Sequence, residues 1–512
     1  MTYDAIVVGS GAAGSWAAKT LAERGIRTLV LEAGPLFPGD HRVDRAAHDS
    51  GRQPVQSLCS AYEPPNSHLF VDDVDNAYAT DDDAPFHWFR GRQVGGRLHV
   101  WAGVSLRMSD REFGGRDQDR EGPAARGWPI RYRDVEPYYR RVETFMRVTG
   151  GSEPSPAAPA PAAAVRQPLT RGERLLADAV RRRWPGRQVV SGRVARAEAG
   201  AALTAALTTG RATLRPDAVV SHLELDRAGR RAEGVVFADR VTGVLHRERA
   251  ATVILCASAI ESVRILLNTR AAARSGAALG GDADLLGRHV FDHVVGATVS
   301  GLVPGTDTAP APLGRPGLVP VCHIPDSPEA RGEFSGGYGI TLFAPEVLPM
   351  NGPSAAWASA SGSIPFRLWA SGEVLPRADN RITLAAGTDA WGIPQARIRL
   401  SYGPDEHAMT AYQAEEMTGM ARAAGFDIRE VTDKPDTPGT AVHEMGGAAM
   451  GDSPLTSVVD GRNRVWQLPN VLVADGSCFT TGGWQNPTLT IMALAARACE
   501  LLARTARSGE PV

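Results

Sequence analysis

Tyr3 to Gly34, YDAIVVGSGAAGSWAAKTLAERGIRTLVLEAG, reads strand–turn–helix–strand. YDAIVVG is a short apolar run and GSGAAGS a turn. WAAKTLAERG is a helix closed by glycine, and IRTLVLEAG is a second strand. Together they make one βαβ unit of a parallel sheet. Gly9, Gly11 and Gly14 form G-x-G-x-x-G at the strand-to-helix turn, and Glu32 ends the next strand 18 residues after Gly14. Such a turn lets backbone N–H groups approach a pyrophosphate, and the helix N-terminus favours its negative charge. Glu32 can accept from ribose hydroxyls and disfavours a 2′-phosphate, which argues against NADP. Gly9, Gly11, Ala12, Ala13, Gly14 and Glu32 are the predicted nucleotide contacts.

The rest of the chain sets that unit in a larger protein. Its 512 residues can bury a large core and suggest two or three domains. Lys+Arg total 55 against 57 Asp+Glu, so no basic stripe points to nucleic acid. An apolar share of 43% and a charged share of 22% are those of an ordinary globular protein. Cys59, Cys256, Cys322, Cys478 and Cys499 are odd in number and widely spaced, which predicts a reduced, cytoplasmic chain. No secretion signal opens the sequence, and no stretch reaches 18 uninterrupted apolar residues, so no membrane span is expected.

AVVSHLELDRAGRRAEGVVF (Ala218 to Phe237) reads as two strands and a charged turn. ATVILCAS is a fully apolar strand, followed by AIESVRILLNT as an amphipathic helix. RITLAAG and ARIRLSY, between Arg381 and Tyr402, predict an antiparallel sheet, and NVLVADGS is another buried strand. Pro154 to Pro168 and Val303 to Gly317 are Pro-rich loops. RRRWPGR (Arg181 to Arg187) reads as solvated surface. There is no internal repeat.

GGWQNPTLTIMALAARACELL (Gly482 to Leu502) places Asn486 before Pro487 and a helix-forming run. Asn is a favoured N-cap and Pro a favoured first helical residue, so the amide either caps that helix or faces a ligand. GRHVFDH (Gly287 to His293) carries two histidines four apart, a metal-binding spacing if helical. No third ligand stands nearby, so no metal is expected. Ser258 and Ser477 lie in no G-x-S-x-G elbow, which leaves hydrolase chemistry unsupported.

With these segments the chain resembles the glucose–methanol–choline (GMC) family of flavoprotein oxidoreductases. The motifs are the N-terminal unit, GRQVGGRLHVWAG (Gly91 to Gly103), VILCASAIESVRILL, and the run from VHEMGGAAMG through VADGSCFTTGGWQNPTLT. The final segment looks like the pyranose oxidase and bacterial C-glycoside 3-oxidase branch; steroid-oxidising members have a similar Asn-Pro arrangement. Residues 303–364 show no recognisable pattern.

The resemblance implies an α/β fold with an FAD-binding, Rossmann-like domain from 1–110, 215–295 and 440–512. A substrate domain with a mainly antiparallel sheet would come from 111–214 and 296–439. It also implies that the Arg92 to Gly96 loop, with Val94 and Gly95, lines the flavin and pyrophosphate. The Val220 backbone would meet the adenine, and Asp475, Gly476, Asn486 and Thr488 would meet the ribityl chain and ring edge. Fungal pyranose oxidases carry a flavin-linking histidine where Val100 stands here, with His99 one residue earlier, so FAD is expected to be non-covalent.

Alcohol oxidation needs a base for the O–H proton while hydride leaves the carbon, and a neutral imidazole suits that role. The resemblance places the catalytic histidine at His443 and turns the Asn486 amide toward the substrate oxygen. Trp101 and Gln485 are substrate-pocket candidates, and Trp484 is a lining ring or a packed one. The expected activity is FAD-dependent oxidation of a sugar or glycoside CH–OH to a ketone. Electrons would pass to dioxygen, giving hydrogen peroxide, or to a quinone-like acceptor. Steroid or other apolar alcohols, aminoglycoside primary alcohols and a non-redox flavin-binding protein are the rivals. A pocket of Leu, Phe and Met would favour a steroid, and polar and Trp lining a sugar.

Overall fold

AIVV at Ala5–Val8 (β1) and TLVL at Thr28–Leu31 (β2) are buried at every residue, as interior strands of a parallel sheet must be. In this computed structural model, which describes residues 3–37, 55–59, 62, 66–74, 76–114, 127–151, 155, 158–162, 169–273, 279–281, 284–305, 321–325, 334–344 and 363–508, they pair in parallel. Thr252–Leu255 (β3) joins the other side of β1, and Leu468–Val473 (β4) joins β3, both in parallel. Ala212–Arg215 and Arg464–Val465 complete the edges of a six-stranded sheet. Its central strands are thus drawn from the two ends of the sequence and its middle.

Ala12–Glu23 (α1) and Thr488–Ser508 (α3) pack against one another beside this sheet. Ala259–Ala272 (α2) departs from the amphipathic expectation: Ser262 through Thr269 are buried without a gap. The reason is cover on two sides, from strand Ala218–Leu225 and strand Arg381–Thr388. Two of its polar side chains find internal partners. Arg264 pairs with Glu261 and Asp389 at 3.2 and 2.7 Å, and Thr269 Oγ1 accepts from the Leu223 N–H at 2.9 Å.

Ala218–Leu225 and Ala232–Asp239 form the expected antiparallel hairpin, with Leu245–Arg249 as a third strand. The second large sheet is antiparallel throughout, in the order Asp427–Thr432, Thr298–Val303, Ile364–Gly372, Tyr338–Phe343, Val321–Pro325, Val190–Ser191. Strands from the stretch without a recognisable pattern therefore lie in its centre. The pair expected between Arg381 and Tyr402 exists, Arg381–Thr388 against Pro394–Arg399, but in a separate three-stranded sheet that Ala79–Thr80 joins.

Residues 111–214 divide between the two halves. Helices Tyr132–Phe145 and Ala201–Thr208 pack on α3 and α1, whereas Val190–Ser191 belongs to the antiparallel sheet. Arg181 to Arg183 are exposed as expected, but Arg187 is buried and donates to the Tyr338 hydroxyl and Glu416 at 2.6 and 2.7 Å. Most of the Pro154–Pro168 stretch, and Val303–Gly317 beyond Gly305, lie outside the described residues. Cys256, Cys478 and Cys499 are buried free thiols. Among the described residues no helix is long and apolar enough to cross a membrane.

Candidate active site

The three glycines of the first turn have separate physical reasons. Gly9 sits at φ +97°, and a Cβ there would lie 2.4 Å from the Cys256 carbonyl oxygen. A Cβ at Gly14 would lie 1.8 Å from the Gly9 oxygen, so only glycine lets α1 pack this tightly on β1. Gly11 is different: its Cβ would meet only the Gly96 Cα, at 3.8 Å. The space beside it is what a phosphate needs to reach the backbone at a helix N-terminus.

Glu32 closes the same turn. Its Oε2 accepts from the Ser10 N–H and hydroxyl at 2.9 and 2.6 Å, and its Oε1 from the Gly34 N–H at 2.9 Å. Burial pushes its carboxyl up, against those hydrogen bonds. The Gly95 N–H donates to Ser10 Oγ at 3.0 Å, so the Arg92 to Gly96 loop is tied to the turn through Ser10. Gly95 and Gly96 both have positive φ. Arg92 faces this region only with its backbone, which packs on Gly34; its guanidinium reaches Glu261 at 3.1 Å. In the adjoining hairpin a register shift between Val220 and His222 leaves Ser221 out of the ladder, a bulge at the predicted adenine contact.

His99 lies in a 3-10 turn, Gly96–His99, not in an extended segment. The exposed His99 ring turns back to the Val94 oxygen, 2.9 Å from Nε2.

β4 ends at Val473 and leads into Asp475, whose carboxylate is held by its neighbours. Oδ1 accepts from Ser477 N–H and Oγ at 3.0 and 2.6 Å, and Oδ2 from Ser262 Oγ at 2.5 Å. This joins the 475–478 turn to the start of α2. Ten residues further on stands Asn486, just before α3 and Thr488. Its amide does not cap that helix. Nδ2 lies 3.0 Å from His443 Nε2.

His443 is positioned by a register invisible in the sequence. Phe291 and Met445 form an antiparallel bridge with hydrogen bonds of 2.9 and 2.8 Å. That bridge places Asp292 opposite Glu444 and His293 opposite His443, within cross-strand reach. The two imidazoles meet Nδ1 to Nδ1 at 2.9 Å, edge to face with ring centroids 5.0 Å apart. Asp292 Oδ1 accepts from the His293 and His443 N–H groups at 2.8 and 3.0 Å and so clamps both backbones. Arg97 pairs with Glu444 at 2.8 Å.

Burial, with His293 and Arg97 adjacent, holds the His443 imidazole well below its usual range. Burial pushes His293 down to about 4. It pushes Asp292 up to about 8, with Glu444 adding to the effect. The imidazole facing Asn486 is therefore neutral at ordinary pH.

In GRHVFDH the sequence drew attention to His289 and His293 as a metal-binding spacing, from which no metal was expected, and gave Asp292 no role. The segment is not helical, so its histidines do not share a helix face. Among the described residues no group of three or more His, Cys, Asp or Glu is arranged to hold a metal. The signal that existed was an Asp-His pair in an apolar stretch. Finding its partner required the register.

The other pocket candidates separate. Gln485 is fully buried and its Oε1 accepts from the Trp484 N–H at 3.1 Å, so it shapes the turn. Trp101 is half-buried against the main core. Trp484 is both packed and lining: its ring presses on Gly339, and it borders a cavity with Arg111, Glu112, Glu373 and Thr481. Its indole Nε1 is buried without a partner among the described residues.

Two family models, both described as GMC oxidoreductase, match residues 3–295 and 376–495. The chain is a GMC oxidoreductase. FAD is the cofactor of this family, and the glycine turn with its open space at Gly11 fits a dinucleotide. A 2-methyl-1,2-propanediol dehydrogenase of Mycolicibacterium austroafricanum is 27% identical, over 98% of this chain and 95% of its own length. The fructose dehydrogenase large subunit of Gluconobacter japonicus is 27% identical over 99% of each. A C-glycoside 3-oxidase of Microbacterium trichothecenolyticum is 24% identical over 98% and 96%. Among solved structures, an Aspergillus oryzae RIB40 formate oxidase shares the fold, with a TM-score of 0.69 at 16% identity and 99% coverage of both chains.

Proposed function

We propose that this GMC oxidoreductase oxidises a secondary CH–OH of a sugar or glycoside to a ketone, with His443 as base and Asn486 as orienting partner. The observation that carries this reading is the 3.0 Å contact between His443 Nε2 and Asn486 Nδ2. A substrate hydroxyl placed between them donates its proton to Nε2 and accepts from the amide. That fixes the oxygen and directs the carbon-bound hydrogen. Non-covalent FAD, which the Gly9 to Gly14 turn and the Arg92 to Gly96 loop would hold, would supply the hydride-accepting chemistry, with dioxygen or a quinone-like compound as the final two-electron acceptor. Lacking a cap from Asn486, α3 presents its N-terminal dipole beside the pair, where negative charge is stabilised.

The polar walls near Trp484 support a sugar over a steroid. Arg111, Glu112, Glu373 and Thr481 offer hydrogen bonds to a polyol and none of the apolar cover a sterol needs. The fructose dehydrogenase and C-glycoside 3-oxidase relatives point the same way. The test is anaerobic titration of the flavin absorbance with free sugars, glycosides, an acyclic diol and sterols, followed by air or a quinone. Bleaching by a sugar or glycoside is expected. Bleaching by sterols alone, or by nothing, overturns the assignment.

A further inference from the structure

The Nδ1-to-Nδ1 contact between His293 and His443 imposes a constraint on protons. At 2.9 Å one ring must donate and the other accept, so a single proton lies between them and the two rings cannot both be charged. The Asn486 amide decides which ring donates. It presents Nδ2, a donor, to His443 Nε2, so that nitrogen accepts and keeps its lone pair. The hydrogen of the neutral His443 ring is then on Nδ1, which donates to a bare Nδ1 on His293. His293 carries its own hydrogen on the buried Nε2.

We propose that His293 is a positioning residue, holding His443 in the tautomer protonated on Nδ1 so that a bare Nε2 faces Asn486 and the substrate. The proposal rests on His443 acting as base. Its geometry does not depend on which alcohol is oxidised. The arrangement also gives Asp292 a purpose. It accepts from both backbone N–H groups and touches neither ring, so it sets the spacing of the two imidazoles without competing for their proton. The Tyr402 hydroxyl donates to the His293 carbonyl at 3.0 Å and fixes the same strand from the other side. Arg97, paired with Glu444, is the remaining charge facing His443. A cation there disfavours an imidazolium and keeps the relay neutral.

The test is nitrogen-15 histidine labelling of the flavin-loaded enzyme, with two-bond proton–nitrogen correlation at rest and without substrate. The His443 signals, assigned by their loss in H443Q, should show a neutral ring protonated on Nδ1 between about pH 6 and 8. His293→Phe removes the acceptor. It should shift His443 toward the other tautomer and slow flavin reduction at least ~10-fold, within the ~10⁴-fold range of general-base catalysis. FAD retention reports whether that variant folds. His293→Asn, whose amide oxygen can occupy the place of Nδ1, should restore both the tautomer and most of the rate. A wild-type His443 protonated on Nε2, or a tautomer unchanged in His293→Phe, overturns the proposal. Because the tautomer is read without substrate, its failure is distinct from failure of the sugar assignment.

Discussion

Gly11→Ala separates cofactor binding from folding. Gly11 has φ −69° and ψ −155°, a conformation alanine adopts freely, and its new methyl would meet only the Gly96 Cα at 3.8 Å. Alanine is a poorer helix N-cap than glycine, a cost below ~1 kcal/mol. The methyl instead fills the space through which a pyrophosphate reaches the backbone. Losing two charge-assisted hydrogen bonds at ~1.5–3 kcal/mol each amounts to ~3–6 kcal/mol. That weakens FAD binding by ~10²- to 10⁴-fold. Gly14→Ala is the control, since its methyl would stand 1.8 Å from the Gly9 oxygen and must push α1 off β1. Overpacking of that kind should cost at least ~3 kcal/mol of fold stability. The assay is fluorescence titration of the apoprotein with FAD, beside the apoprotein Tm. An unchanged FAD affinity in Gly11→Ala, or a Tm depressed as far as in Gly14→Ala, would refute the reasoning.

Four further outcomes are expected. His443→Ala should slow anaerobic flavin reduction by at least ~100-fold in stopped flow, and normal bleaching would remove it as the base. His443 has a depressed pKa in the folded protein, so it stays neutral through pH 7 and gains a proton only well below the ordinary value of 6.5. The pH profile of flavin reduction should therefore be flat through neutrality and fall only in acid. A limb near 6.5 or above would contradict this. Glu143→Gln disrupts a buried bidentate pair with Arg107, at 2.7 and 2.6 Å, and should cost ~3–5 kcal/mol in denaturant unfolding. Acid precipitation should release all the flavin into solution, because His99 is engaged with Val94; colour retained in the pellet would show a covalent link.

Much of the cofactor half was readable in order along the chain. The βαβ unit, the hairpin from Ala218, the strand before α2 and the turn at Asp475 each announce themselves within one continuous stretch of sequence. Their signals are local: apolar runs, a glycine where φ is positive, an Asp two residues before a serine. In the substrate half the Arg381–Thr388 and Pro394–Arg399 pair was readable, and most of the rest was not. Strands Thr298–Val303, Tyr338–Phe343 and Ile364–Gly372 cover one another within one sheet, and none carries a cofactor motif.

Asn486 shows where local reading stops. On its own the Asn-Pro step describes a helix cap, and capping is what the isolated segment would do. In the folded chain a neutral imidazole stands 3.0 Å from the amide nitrogen, and no described helix N–H donates to the amide oxygen. The chain alone determined the glycine turn, the parallel strands and the kinds of side chain available for alcohol oxidation, because those follow from backbone sterics and periodicity. Only the tertiary structure decided that His293 stands against His443, 150 residues later. That contact comes from the Phe291–Met445 register, and pairing between distant segments is set by the fit of the whole core, not by any one segment's composition.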